Sequence, residues 1–154
     1  MRYLRLLIVT VIVGGALLMV SPAHEDLGTP GVAKALAERA AELIKTEGRE
    51  KAIAVLSDPK SEFVQGSMYV FLMGLDGVML AHPHNHKLIG RSFMGERDFN
   101  GVAYGREMVS TARTDGNGWV DYVFTDPISH KLRRKSTYVL RVGEVFVGCG
   151  YYLK

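Results

Sequence analysis

Residues 118–152, GWVDYVFTDPISHKLRRKSTYVLRVGEVFVGCGYY, hold the densest run of β-branched and aromatic residues in the sequence. Three strands are read from it, 119–125, 136–142 and 145–152, the last two joined by a tight turn at Gly143 and Glu144. Asp115, Gly116, Asn117 and Gly118 form a turn ahead of them, and residues 106–114 read as a helix that feeds it. Between strands two and one lies the short basic cluster 131–135, read as a solvated loop or strand edge, so Arg133 and Arg134 receive no role.

Further toward the N-terminus, residues 68–73 and 78–82 form a predicted hairpin around Asp76 and Gly77. The segment 83–105 carries glycines among Phe93, Met94, Phe99 and Tyr104; it is too irregular for strands and too apolar for a linker, and such segments often fold over a pocket. Thr29 and Pro30 are an N-cap and first-turn pair. Val32, Leu36, Ala40, Leu43 and Ile44 then recur at helical spacing, and helix formers resume after Gly48 until Asp58 and Pro59. One long helix, or two nearly in line, is expected. Helices first and an antiparallel meander after them make the chain α+β.

Residues 6–20 are an unbroken apolar run behind Arg2 and Arg5, followed by Ser21, Pro22 and Ala23. This reads as a signal peptide over 1–23, with an uncleaved anchor as the alternative; either way the chain is exported, and 24–154 form a single domain. The whole sequence has 19 Lys and Arg against 16 Asp and Glu, a net charge of +3; without Arg2 and Arg5 it is +1, so charge gives no reason to expect a nucleic-acid partner. The single cysteine, Cys149, lies in an apolar run and reads as a small buried hydrophobe.

Three histidines alternate at His82, His84 and His86, and neutral imidazoles brought to one side bind zinc, copper or nickel. Pro83 argues against a strand through all three, so metal is an alternative only. Nothing resembles a nucleophile elbow, and Asp121 and Asp126 read as edge and turn residues, so neither an enzyme nor a cofactor is expected. Aromatic residues concentrate on the predicted strands, Tyr69, Phe71, Trp119, Tyr122, Phe124, Tyr138, Phe146, Tyr151 and Tyr152, and Tyr and Trp combine an apolar body with a polar tip, which suits a small ligand pocket. By period two Trp119 lies on the face opposite Tyr122 and Phe124. Lys135 either points in beside Tyr138 and Tyr122, where an ammonium among phenols would hold a small carboxylate, or points out as an edge lysine.

The hairpin residues Tyr69, Phe71, Asp76, Gly77, His82 and Pro83, followed by Gly118, Trp119, Asp121, Tyr122, Pro127, Lys135, Tyr138, Val147, Gly148, Gly150 and Tyr151, resemble the single Cache domains of bacterial chemoreceptors and sensor kinases. The resemblance implies a PAS-like central antiparallel sheet of about five strands with a long N-terminal helix. It also implies a periplasmic pocket for a short organic acid such as acetate, propionate or pyruvate. Carried onto this sequence, the ligand-binding residues are Phe71, His82, Phe93, Met94, Trp119, Tyr122, Lys135 and Tyr138, with Lys135 as carboxylate anchor. Members of that family continue into a membrane helix and a signalling module, whereas this sequence stops at Lys154. The expected partner is therefore a separate membrane-bound sensor kinase or chemoreceptor. A ligand-free interaction module that kept the fold is the further alternative. Oligomeric state is not legible.

Overall fold

A computed structural model describes residues 28–153, so the segment read as a signal peptide lies outside the described residues. Helix α1 spans Pro30–Glu47 and α2 spans Arg49–Leu56. Thr29 caps α1, its hydroxyl oxygen accepting from the Val32 amide at 3.3 Å, and Pro30 occupies the first turn, where a missing N–H costs nothing. The two helices are separated by Gly48, whose φ of +87° suits glycine and breaks the α1 ladder. The buried stripe of α1 is Ala33, Leu36, Ala37, Ala40, Ala41 and Ile44, mostly small side chains, whereas Val32 is exposed.

The strands are β1 (Val64–Gln65), β2 (Met68–Gly74), β3 (Met79–Ala81), β4 (Asn117–Thr125), β5 (Leu132–Val142) and β6 (Val145–Tyr152). Helix α3 spans Tyr104–Thr114, and a single 3-10 turn covers His86–Leu88. They form a six-stranded antiparallel sheet in the order β1-β2-β6-β5-β4, with β3 on the free part of the β2 edge. The central pair β2 and β6 comes from opposite ends of the domain, which ties the predicted hairpin to the C-terminal meander. The expected α+β architecture is the one observed, with six strands in place of about five.

Each face of the sheet buries its own core, as period-two alternation requires. Val70, Leu72, Tyr138, Val147 and Cys149 pack against α1 and α2. Tyr69, Phe71, Met73, Tyr122, Val139 and Phe146 pack instead against α3 and the covering segment 83–103, through Phe93, Tyr104 and Met108. One expectation is corrected here: residues 132–135 of the basic cluster, read as a solvated loop or strand edge, belong to β5, which is paired on both sides at Lys135, so of the two orientations read for this lysine the edge one is not observed.

Candidate functional site

Register sets the site. Lys135 on β5 lies opposite Tyr122 on β4 and Tyr152 on β6, and directly opposed residues project to the same face. Two residues back along β6 on the same face, opposite Thr137, is Gly150, where a Cβ would fall 2.4 Å from Lys135 Cε. The missing side chain is the space along which the lysine folds toward β2. There its Nζ stands 4.0 Å from the centroid of the Tyr69 ring, 5.0 Å from that of Tyr152 and 5.5 Å from that of Phe124.

Lys135 is 1% exposed, and its Nζ has no hydrogen-bond partner among the described residues. Burial lowers the amine to about 7, and the fields of Cys149 and Asp126, which act the other way, do not restore it. Neither of those groups is a free counter-charge. Cys149 lies on the helix face of the sheet, its thiol pushed up to about 12 by burial. Asp126 is a turn anchor, accepting from Ser67 Oγ at 3.0 Å, Ile128 N at 2.9 Å and Ser129 Oγ at 2.8 Å, with Arg133 Nε 3.5 Å away. Burial also raises the Tyr69, Tyr122 and Tyr152 phenols, so the cage stays neutral.

His82 directly follows β3 beside this cage, its ring 4.8 Å from that of Tyr69. Its Nδ1 accepts from the backbone amides of His84 and Asn85 at 3.2 and 3.1 Å. An imidazole nitrogen that accepts carries no proton, so the neutral ring is protonated at Nε2. Burial first, and then the fields of Lys135, His84 and His86, lower His82 to about 3, which keeps it in this form. His82 is thus a fixed neutral donor.

Two hollows meet at this point. The inner one, lined by Phe71, Met73, Met79, Phe93, Tyr104, Met108 and Tyr122, has a volume of about 20 Å³, room for about one water molecule. The outer cleft, about 340 Å³, is walled by His84, Asn85, Leu88, Thr125, Pro127 and His130. Tyr69, His82 and Phe124 line both. The inner wall is a continuous aromatic cluster, with Tyr104 stacked on Tyr122 at 4.8 Å and 8° and edge-on to Phe93 at 6.1 Å.

Of the residues singled out from sequence, the structure brings together Phe71, His82, Phe93, Tyr122 and Lys135. Trp119 and Tyr138 are elsewhere: they oppose one another across β4 and β5 on the helix face, rings 5.1 Å apart, with Lys34 of α1 over the Tyr138 ring. Tyr138 is three residues from Lys135 and so has opposite parity, a signal already present in the spacing. Met94 is half-buried beside the cluster, packed over Gly77, and does not line the inner hollow. Sequence reading gave no pocket role to Tyr104 and Met108, which share one face of α3 at i,i+4, whereas Tyr69, Phe124 and Tyr152, named among the aromatic residues of the strands, do wall the site.

The three alternating histidines do not converge. Pro83 turns the chain out of β3, His84 is exposed, and His86 Nε2 lies 2.8 Å from the carbonyl of Ser57 at the end of α2. Among the described residues no group of three or more His, Cys, Asp or Glu is placed to hold a metal.

The sequence matches a family model described as Cache domain over residues 31–154. No curated protein matches it. Among solved structures it is similar to the periplasmic sensor domain of a chemotaxis protein, with 30% identity over 80% of this chain and 90% of that one and a TM-score of 0.65. A methyl-accepting chemotaxis protein from Vibrio parahaemolyticus shares the fold at 19% identity, with 77% and 84% of the two chains covered and a TM-score of 0.67. So does a Cache chemosensory domain described in terms of carboxylic acid recognition, at 23% identity, 80% and 88% coverage and a TM-score of 0.63. No described helix is long and apolar enough to cross a membrane.

Proposed function

The chain belongs to the Cache domain family, and on that premise we propose that residues 24–154 are an extracytoplasmic sensor domain for a short organic acid. The acid is of the size of acetate, propionate or pyruvate. The apolar leader over 1–23 supports export, and the signal passes to a membrane-bound kinase or chemoreceptor. The observation that carries the reading is Lys135, an amine that finds no acceptor among the described residues and lies inside a neutral aromatic cage. A carboxylate is the partner that such an amine lacks, and a charge-assisted hydrogen bond formed out of water is a strong one. His82 Nε2 supplies the second donor, while Phe71, Phe93 and Tyr122 enclose the carbon chain. That a Cache chemosensory domain of the same fold is described as recognising carboxylic acids supports this choice of ligand.

A single observation favours a second reading, in which the fold serves as an interaction module. The inner hollow has room for about one water, so an acid fits only if Tyr69 or Phe124 swings toward the outer cleft. Calorimetry and thermal shift with acetate, propionate and pyruvate decide between the two. Binding that weakens at least thirtyfold in Lys135→Met, about 2 kcal/mol, supports the sensor reading. Equal binding by that variant removes Lys135 from the site, and silence across the acids leaves the interaction module.

A further inference from the structure

The amine of Lys135 is more than a cation waiting for an anion. An ordinary solvated lysine is almost entirely protonated at neutral pH and has no lone pair to offer, with roughly one amine in a few thousand free. A lysine is made nucleophilic by desolvation in an apolar pocket, without a carboxylate to hold its proton. Lys135 meets both conditions: it is 1% exposed, ringed by Tyr69, Tyr152 and Phe124, and its Nζ has no acceptor among the described residues. Its lowered value of about 7 leaves half of the amines free at that pH.

We propose that Lys135 captures the keto group of a small 2-oxo acid as a reversible imine, with the neighbouring carboxylate of the same ligand on His82 Nε2. This rests on the organic-acid reading and narrows it to acids that carry a reactive carbonyl. The Nζ lone pair forms a bond to the keto carbon while the carbonyl π pair moves to oxygen. Both amine protons then leave with that oxygen as water, and C=N replaces C=O, so nothing is oxidised or reduced. Water leaves by the outer cleft, because Tyr69 lines both hollows and covers the amine, and its rotation opens the one to the other. His82 suits the second role because its two backbone donors hold the proton on Nε2 at every pH at which the amine reacts.

The test uses the purified full chain in mild detergent, with pyruvate and borohydride in an amine-free buffer at pH 7, followed by peptide mapping of the reduced adduct. The expected result is a secondary amine on Lys135 formed at least about tenfold faster than on the exposed Lys34, Lys45, Lys51, Lys60, Lys87 and Lys131. Calorimetry with acetate, lactate and pyruvate runs in parallel. Binding of pyruvate without an adduct on Lys135, or an adduct no faster there than on the exposed lysines, overturns the imine and leaves the carboxylate site standing. Failure of all three acids to bind overturns the organic-acid reading itself.

Discussion

The Lys135 amine stands 4.0 Å from the centroid of the Tyr69 ring, and this contact joins the middle of β5 to the start of β2 across Gly150. It places a titratable group where water does not reach. Whatever displaces Tyr69 exposes that group, so ligand access and the protonation of Lys135 are linked through one side chain.

Stability should rise with pH above neutrality. The folded amine sits near 7 and the unfolded one near 10.5, so between these values the unfolded chain binds the extra proton and loses ground as pH rises. From pH 7 to 8.5 the gain is about 1.5 kcal/mol. Above that window Cys149 and the buried phenols, all raised, reverse the trend. Urea unfolding at pH 7 and 8.5 measures the gain, and Lys135→Met should abolish it while being at least as stable as the unmodified chain at pH 7. A pH-independent midpoint in the unmodified protein would show that the amine is solvated.

Acid should destabilise the fold well before the carboxylates titrate. His82 is lowered to about 3, so below the unfolded value of 6.5 the unfolded chain takes up a proton that the folded one refuses. Between pH 6.5 and 5 the loss is about 1.5 kcal/mol. His82→Phe should remove most of that slope, leaving the part due to His84, which burial also lowers, and by stranding the His84 and Asn85 amides should cost about 1–3 kcal/mol at pH 7. Denaturant titrations of both chains at the two pH values check this.

Gly148 and Phe71 should be energetically coupled. They are register partners, and a Cβ at Gly148 would lie 2.2 Å from Phe71 Cζ, so Gly148→Ala forces that ring out of its packing and should cost about 1–3 kcal/mol. Phe71→Leu makes room, so the double variant should lose less than the sum of the singles. Strict additivity in a double-mutant cycle would refute the contact.

Asp98 should hold the covering segment to the edge of the sheet. Its Oδ1 accepts from Asn100 N and Val102 N at 2.8 Å each, and its Oδ2 accepts from Val123 N on β4 at 2.7 Å. Burial opposes its ionisation, but these amides hold the carboxyl below its usual range. Asp98→Ala should therefore speed hydrogen exchange at Asn100, Val102 and Val123 while leaving the β2 and β6 amides protected. Unchanged exchange at Val123 would mean that another group fastens the segment.

Local chemistry made most of the elements legible. Thr29 and Pro30 start α1 as read, Gly48 interrupts it, and Gly143 with Glu144 turns β5 into β6. Boundaries differ where pairing overrides propensity: Leu132, Arg133 and Arg134 extend β5 because β4 offers partners for them, although the charge of the two arginines argues for a solvated loop or strand edge. The site was legible in part. Period-two parity ties Phe71 to Tyr69 and separates Tyr138 from Lys135, but Tyr138 was read as Lys135's neighbour. The same parity puts Trp119 on the opposite face, so only the family resemblance argues for it as a site residue.

Residue order alone determined the α+β class, the strand-rich C-terminal half and the residue types available for binding, because turns, caps and periodicity are short-range properties of the chain. The tertiary structure alone decided which way Lys135 faces and what surrounds it. That outcome depends on β2 pairing with β6 across about 75 residues of sequence, which brings Tyr69 over an amine that β5 carries and Gly150 makes room for. Register is a long-range property, and a shift of one residue would have turned the same lysine toward α1.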